Sequence, residues 1–264
     1  MNKSFAIALL LGSTQAAGVT YDYKTNGADW PSISAGCGGS NQSPINLISE
    51  GADDFDYEVI SKDDIVDKSY ANQRNVAVNW NGHTSQVDLA AGTTNKFESL
   101  MADELFGADT VFNGAQFHFH AGSEHTIDNK RYDLEMHTVH FPRETKNDFI
   151  AAAMGLMFSV NDYTAELSDG EKMIIDTFFD TLQWDSSTSN PVVDLASYGN
   201  LMTMANFNER WVYKGSVTTP PCATNVYWNV VSTIYPIQQR HVDLFKTQLA
   251  KVDGLDKQGN WRLI

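Results

Sequence analysis

Two stretches decide the fold and the chemistry of this chain: QFHFH at residues 116–120 and EMHTV at residues 135–139. Successive side chains of an extended strand point to opposite faces, so His118 and His120 share one face. If the two stretches pair as neighbouring strands, His137 joins them and three imidazoles converge on one metal ion. Three neutral nitrogens without a fourth protein ligand are typical of a catalytic zinc site, which keeps one position open for water. A structural site would usually be closed by cysteines, of which the chain has only two.

Composition is typical of a large globular domain. The chain has 264 residues, of which 42% are hydrophobic and 11% aromatic, enough to bury a substantial core. No repeat, linker or low-complexity tract divides it, so a single domain is expected. The formal charge of −15 argues against nucleic acid and anionic membranes as partners. This charge fits either simple solubility or a surface adapted to high salt, and we state salt adaptation as a hypothesis.

The N-terminus predicts a signal peptide over residues 1–17. Lys3 supplies a short basic start, an apolar run follows at residues 5–11, and small residues lead to Ala17. The run is too short to span a bilayer and no second long one follows, so no membrane insertion is expected. Residues 18–264 would form the mature domain, secreted to an extracellular or periplasmic location. The alternative is a buried N-terminal strand.

Cys37 and Cys222 are the only cysteines. In a secreted chain an even pair indicates one disulfide, which would close a long loop. Two free buried thiols are the alternative.

Short β-like runs separated by turns dominate the chain. They fall at residues 76–78, 116–120, 134–140, 151–160 and 226–234. Two helices are predicted: one begins with the capping-box spacing of Ser168 and Glu171, and the other covers residues 238–249. The pattern predicts a predominantly β protein of the α+β type, with short helices at its periphery.

Further motifs occur in a fixed order around the two histidine stretches. They are QSPIN at 42–46, SEH at 123–125, GSVTTPPC at 215–222 and NWR at 260–262. Together they resemble the alpha-class carbonic anhydrases of the secreted, single-disulfide type, from about Tyr23 to the C-terminus. The resemblance implies a central, twisted, mostly antiparallel sheet of ten strands, with zinc at the bottom of a conical cleft. It also implies reversible hydration of CO2 to bicarbonate and a proton. The sequence leaves open whether the protein is a monomer or a homodimer.

The resemblance also implies which residues bind zinc and which orient the ligands. His118, His120 and His137 match the ligands. Gln116 matches the acceptor for the ring N–H of His118, and Glu135 matches the partner of His137. Alternation agrees, since each partner lies two residues from its ligand on the same face. A solvent-facing polar strand residue is the alternative for either one.

Thr218 and Glu124 match the pair that orients the attacking hydroxide. The threonine hydroxyl accepts a hydrogen bond from the hydroxide and donates its own proton to the buried carboxylate. Ordinary turn chemistry before the two prolines is the alternative for Thr218. Thr219 lines the same wall and is expected near bicarbonate.

An apolar pocket is implied beside the hydroxide, because CO2 is apolar. The residues that match its walls are Val139, Ala153, Val217 and Trp228, and for each the alternative is ordinary core packing.

His83 matches the proton shuttle of the family, since a histidine near pKa 6.5 can take a proton from a water chain and release it to buffer. The alternative is a surface histidine at the Asn81-Gly82 turn. Asn81 and Gln86 match polar positions that hold the water chain, and Tyr23 is expected to be a third.

Cys37 and Cys222 match the family disulfide, which would hold the loop of Thr218.

Three other histidines are predicted to be structural or surface groups. His125 and His140 lie one step off the zinc-facing alternation, and His241 lies on a helix.

The chain also departs from the family pattern. Ala121 stands where a tryptophan usually follows the second ligand, residues 101–114 resemble an insertion, and relatives usually continue beyond the last motif with another strand segment.

Two other functions compete with CO2 hydration. One is a catalytically silent binding module of the same fold, although such members typically lose zinc histidines and this chain keeps all three. The other is a zinc esterase that acts on a larger substrate.

Overall fold

The computed structural model describes residues 20–49, 57–61, 64–90, 94–255 and 259–264. The predicted signal peptide, residues 1–17, lies outside these residues. In chain order the strands are β1 (Asn46–Leu47), β2 (Tyr57–Ser61), β3 (Ile65–Ser69), β4 (Gln73–Trp80), β5 (Ser85–Asp88), β6 (Lys96–Ser99), β7 (Val111–His120), β8 (Thr126–Ile127), β9 (Leu134–Pro142), β10 (Ala151–Ser159), β11 (Val192–Leu195), β12 (Glu209–Ser216) and β13 (Thr224–Pro236). The helices are α1 (Trp30–Ile33), α2 (Met101–Phe106), α3 (Asp169–Thr181), α4 (Tyr198–Met204) and α5 (Gln239–Leu249), with a 3-10 turn at Ala35–Gly38.

One large sheet organises these elements, in the order β11-β4-β5-β7-β9-β10-β13-β12-β2, with β3 and β6 attached through β7. Its neighbouring strands pair antiparallel except β10 and β13, which are parallel. The predicted predominantly β class and mostly antiparallel sheet are confirmed. The described sheet counts eleven strands when the four-residue edge strand β11 is included. A separate two-stranded sheet joins β1 to β8.

Strands β7 and β9 pair in the register that the sequence required. His118 lies opposite His137, and His120 lies opposite Glu135. Phe117 and Phe119, which alternate with the β7 histidines, point to the other face, as alternation demands. There Phe119 packs against Phe179 of α3 and Phe245 of α5. The aromatic core on one face thereby fixes the position of the histidines on the other.

Both predicted helices are present. Ser168 is the N-cap of α3, where its side chain accepts from the Glu171 N–H while the Glu171 carboxylate accepts from the Ser168 N–H. This reciprocal pair is a capping box, which satisfies two otherwise unpaired donors at the start of the helix. The second predicted helix is α5, whose buried residues include Val242, Phe245 and Leu249.

The predicted disulfide is formed. Cys37 in the 3-10 turn is bonded to Cys222, which precedes β13, across a sequence separation of 185 residues. The segment of residues 101–114 contributes α2 and the first residues of β7. No helix within the described ranges is long and apolar enough to span a membrane.

Candidate metal centre

The three histidines converge. His118 and His120 come from β7 and His137 comes from β9, and one ring nitrogen of each lies within 4.8 Å of the others. His120 and His137 are almost fully buried, and His118 is partly exposed to the cleft. The sheet register therefore brings together side chains that are 17 to 19 residues apart in the sequence.

One hydrogen bond fixes the tautomer of each imidazole. His118 Nδ1 donates to Gln116 Oε1 at 2.9 Å, and His120 Nδ1 donates to the Asn260 carbonyl at 2.7 Å. His137 Nε2 donates to Glu135 Oε1 at 2.8 Å. The nitrogens left for a metal are then Nε2 of His118 and His120 and Nδ1 of His137.

A divalent metal fits this set of donors. His120 Nε2 is buried and has no hydrogen-bond partner within the described residues, a costly arrangement that a metal ion would relieve. Three imidazole nitrogens with no cysteine match the ligand preference of catalytic zinc.

The electrostatics favour neutral imidazoles at two of the three ligands. Burial lowers the pKa of His118 well below its ordinary value, and burial likewise lowers the pKa of His120. Ligand nitrogens must be unprotonated to bind a metal, so these two histidines are ready to do so. Burial opposes protonation of His137 too, but the Glu135 carboxylate outweighs it and raises the pKa of His137. Burial works against ionisation of Glu135, yet His125 and His137 together hold its pKa well below the usual range.

Glu124 lies directly beside the open nitrogens. It is fully buried, and its Oε2 lies 3.5 Å from His120 Nε2 and 3.9 Å from His137 Nδ1. Its Oε1 accepts from the Arg262 backbone N–H at 3.0 Å, whereas Oε2 has no hydrogen-bond partner among the described residues. The expected hydrogen bond from Thr218 to Glu124 is therefore not formed at Oε2.

The histidines form the floor of a cleft of about 750 Å³, open space at its mouth included. Apart from Glu124 and Glu135, which lie behind the floor, every residue that the sequence assigned to the metal, substrate and water positions lines this cleft. The apolar residues of the lining pack in one hydrophobic cluster, which we call the apolar side, and we call a set of the polar lining residues the polar side. The apolar side consists of Val139, Ala153, Val217, Val226 and Trp228, and the polar side includes Asn81, His83, Gln86 and Tyr23.

His83 stands on the polar side, and it has a partner that the sequence did not indicate. Its ring is stacked on Tyr21, with the ring centroids 4.2 Å apart and the planes inclined by 14°. Burial lowers the pKa of His83, against the attraction of Asp22. Burial also raises the pKa of Tyr21 to about 12, although its hydroxyl is hydrogen-bonded to Thr219. Tyr21 belongs to no motif, and only its spacing of two residues from Tyr23 could have drawn attention to it.

The remaining three histidines do not line the cleft. His125 bonds to Glu135 Oε1 at 2.7 Å through Nδ1 and to the Tyr213 hydroxyl at 2.7 Å through Nε2. His140 Nε2 bonds to the Tyr70 hydroxyl at 2.9 Å. His241 Nε2 bonds to Asp176 at 2.7 Å, which joins α5 to α3. His125, Glu135 and His137 also lie close enough to hold a cation, but their facing atoms already bond to one another.

Three comparisons relate the chain to known proteins. The family model of eukaryotic-type carbonic anhydrases matches residues 25–263. A carbonic anhydrase from Nostoc sp. is 31% identical over 214 residues, which cover 79% of this chain and 68% of the relative. Carbonic anhydrase 6 from Canis lupus familiaris is 27% identical over 270 residues, which cover 94% of this chain and 77% of the relative. A halotolerant carbonic anhydrase from Dunaliella salina has a similar crystal structure, with a TM-score of 0.64 at 24% identity over 94% of this chain and 95% of that chain.

Proposed function

This chain belongs to the eukaryotic-type carbonic anhydrase family, and we propose that it catalyses the reversible hydration of CO2 to bicarbonate and a proton, with zinc held by His118, His120 and His137. One observation carries the proposal. One ring nitrogen of each of the three histidines lies within 4.8 Å of the others in a cleft that all three line, and each ring is oriented by its own acceptor. When bound, zinc would lower the pKa of a water ligand to about 7 and so supply hydroxide near neutral pH.

Glu124 and Thr218 would orient the hydroxide. Glu124 Oε2, which has no hydrogen-bond partner among the described residues, would accept the Thr218 proton, and a threonine lone pair would then accept from the hydroxide. A nucleophile held in this way has one lone pair directed at the substrate, and fixed orientation of this kind accounts for a large share of catalytic rate.

The apolar side of the cleft would bind CO2. Val139, Ala153, Val217 and Trp228 offer no hydrogen-bond donors toward the substrate from their aliphatic and ring carbons, and the Trp228 indole N–H is already bonded to the Ser216 carbonyl. CO2 would therefore lie loosely beside the metal without being held by strong bonds. Thr219, which lines the same cleft, would contact the bicarbonate product.

The polar side would export the proton. His83, with Asn81, Gln86 and Tyr23, offers groups that can order a chain of waters from the cleft floor to its mouth.

Stopped-flow measurement of CO2 hydration, with zinc content determined on the same sample, tests the proposal. We expect activity that a chelator removes, that added zinc restores, and that a sulfonamide inhibits. A protein that binds zinc one-to-one without hydrating CO2 would instead support the silent binding module. Faster turnover of esters than of CO2 would support the zinc esterase.

Thr218 has its own test. Thr218→Ala should lower kcat/KM for CO2 hydration by roughly 100-fold, because an orienting group is lost from the transition state, while zinc content stays the same. Thr218→Ser keeps the hydroxyl and is the matched control, expected to retain most activity. Wild-type turnover in Thr218→Ala would remove this role.

Secretion is part of the proposal. The Cys37–Cys222 disulfide is typical of proteins outside the reducing cytosol, and it agrees with removal of residues 1–17 as a signal peptide. N-terminal sequencing of the exported protein should find a mature terminus after Ala16 or Ala17, and retention of Met1 would contradict this.

A further inference from the structure

The segment of residues 259–264 packs behind the metal centre without joining the sheet. Asn260 is its most connected residue. Its carbonyl accepts from His120 Nδ1, its side-chain oxygen accepts from the Ala121 N–H at 2.9 Å, and its side-chain NH2 donates to the carbonyls of Phe119 and His83 at 2.8 and 2.9 Å. Asn260 therefore touches the strand of the ligands and the turn of His83 together.

The next residues of the segment reach the buried carboxylate. The Arg262 backbone N–H donates to Glu124 Oε1 at 3.0 Å. The orientation of one candidate ligand and of Glu124 thus depends on where this irregular segment lies. Two backbone hydrogen bonds also hold the segment, from the Asn260 N–H to the Ala121 carbonyl at 3.1 Å and from the Leu263 N–H to the Asn26 carbonyl at 2.8 Å.

Several side chains hold the segment against the N-terminal part of the chain. The Asn26 amide donates to the Trp261 carbonyl at 2.9 Å, and the Arg262 guanidinium donates to the carbonyls of Ser43 and Cys37, each at 2.8 Å. These three contacts do not reach the Ser123–Glu124 backbone, and the Arg262 N–H reaches the side chain of Glu124.

Arg131 connects the segment to the Ser123–Glu124 backbone. Its guanidinium carbon lies 3.8 Å from the centroid of the Trp261 ring, within the range of a cation–π contact. The same guanidinium donates through Nη1 to the Ser123 carbonyl and, at 3.2 Å, to the Glu124 carbonyl. The planar guanidinium of Arg131 therefore contacts both the C-terminal segment and the loop of Glu124.

The sequence around the second ligand leaves room for this arginine. Ala121, which follows His120, is small and fully buried. A Cβ on the next residue, Gly122, would lie 3.1 Å from Arg131 Cδ and 2.8 Å from the Tyr132 carbonyl oxygen, so a side chain at this position would displace its neighbours. The arginine stem packs where a larger residue at position 122 would lie.

We propose that Arg131 is a positioning residue of the metal centre, which clamps Trp261 to the Ser123–Glu124 backbone and thereby fixes His120 and Glu124. This inference rests on the proposed function, because it assigns a role toward the metal that the histidines would hold. Arg131 touches neither metal nor substrate and acts only through Asn260 and Glu124. Its charge also attracts the buried carboxylates of Glu124 and Glu135, although burial lowers the pKa of Arg131.

The test compares zinc retention in Arg131→Ala, Arg131→Lys and Trp261→Ala with wild type. The measurements are the dissociation constant and the rate of zinc transfer to a chelator, together with the visible spectrum of the Co(II)-substituted protein, which reports coordination geometry. We expect Arg131→Ala and Trp261→Ala each to weaken zinc binding by about tenfold, at the low end for groups behind a ligand. Arg131→Lys, which keeps the charge but loses the planar stack, should fall in between. The double variant Arg131→Ala/Trp261→Ala should bind zinc no more weakly than the weaker-binding single variant, because both substitutions remove the same contact.

Lys130→Ala is the matched control. Lys130 is adjacent and carries the same charge, but it faces the exposed Asp162 and the Tyr132 ring. Lys130→Ala should leave zinc affinity unchanged. Wild-type affinity and spectrum in the folded Arg131 variants would overturn the proposal, as would an equal loss in Lys130→Ala. If Arg131→Ala does not fold, Arg131→Lys and Trp261→Phe decide by the same measurements. Wild type that binds zinc without hydrating CO2 refutes the proposed function alone, whereas wild type that binds no zinc refutes both.

Discussion

Each candidate ligand is oriented by an acceptor of a different kind. The acceptors are a side-chain amide for His118, a backbone carbonyl for His120 and a carboxylate for His137. A negative acceptor makes the attached imidazole more basic than a neutral one does. His137 would therefore be the strongest of the three donors toward a bound metal ion, which would meet three imidazoles of unequal basicity.

His83 should limit the maximal rate when buffer is scarce. In His83→Ala, kcat in weak buffer should fall by at least about tenfold, because the proton loses its relay out of the cleft. Added imidazole should restore kcat, and kcat/KM should remain nearly unchanged, because the CO2 hydration step does not use His83. Stopped-flow assays across buffer concentrations measure both. An undiminished kcat in weak buffer would exclude the role.

His140 should make stability depend on pH. Burial lowers its pKa to about 3, while the unfolded chain titrates near 6.5. A lowered folded pKa means that the unfolded state binds the extra proton, so the contribution of His140 is complete above pH 6.5 and is lost as the pH falls toward 3. The loss is about 1.4 kcal/mol per pH unit inside this window.

Urea unfolding of wild type and His140→Gln at several pH values checks this expectation. The variant should be less stable at pH 7.5, and the difference in free energy of unfolding should shrink toward pH 5. Other titrating groups contribute to both proteins and cancel in the difference. A difference that is constant with pH would contradict the assignment.

At the scale of elements, the sequence predicted strands and helix ends correctly where it carries a regular or well-defined local pattern. Strict alternation in residues 116–120 and 135–139 gave the facing of β7 and β9, and the register confirms that His118 lies opposite His137. The capping box likewise marked the start of α3. Contacts made by single residues of irregular segments, such as Asn260 and Arg131, carry no period that could reveal them.

The disulfide is the element-scale contact whose removal should cost most. It joins the 3-10 turn to the loop after β12, where the Cys222 N–H also donates to the Thr219 carbonyl at 2.8 Å. Cys37→Ala/Cys222→Ala should lower the free energy of unfolding by about 2–5 kcal/mol, because the unfolded chain is released from a long closed loop. Denaturant unfolding measures this, and reduced wild type is the control, expected to match the variant. Unchanged stability and activity would contradict a role in holding Thr218.

At the scale of the whole molecule, charge is the dominant feature. The chain has 33 acidic and 18 basic residues, which give a net charge of −15. Repulsion among the excess carboxylates is strongest at low ionic strength. The Debye length is about 3 Å at 1 M salt, so added salt screens this repulsion.

We therefore expect stability and CO2 hydration to persist, and stability to rise, between about 0.1 and 2 M NaCl. Thermal unfolding and stopped-flow assays across this range provide the measurement. The control is a variant in which the exposed residues Asp103, Glu104 and Glu166 are changed to Lys. Each substitution makes the net charge more positive by two, so the stability of this variant should depend less on salt. Collapse of activity in molar NaCl would refute the salt hypothesis.

The sequence by itself determined the β class, the family, the disulfide pair and the convergence of three histidines, because strand alternation and ordered motifs are local signals. The roles of Thr218, Glu124 and His83 stay predictions. Only the tertiary structure decided how the site is held. The acceptor for His120 is the Asn260 carbonyl, 140 positions away, Tyr21 stacks on His83, and Arg131 reaches Trp261 across the loop of Glu124. Such contacts arise where distant segments meet in the folded chain, and no spacing along the sequence encodes them.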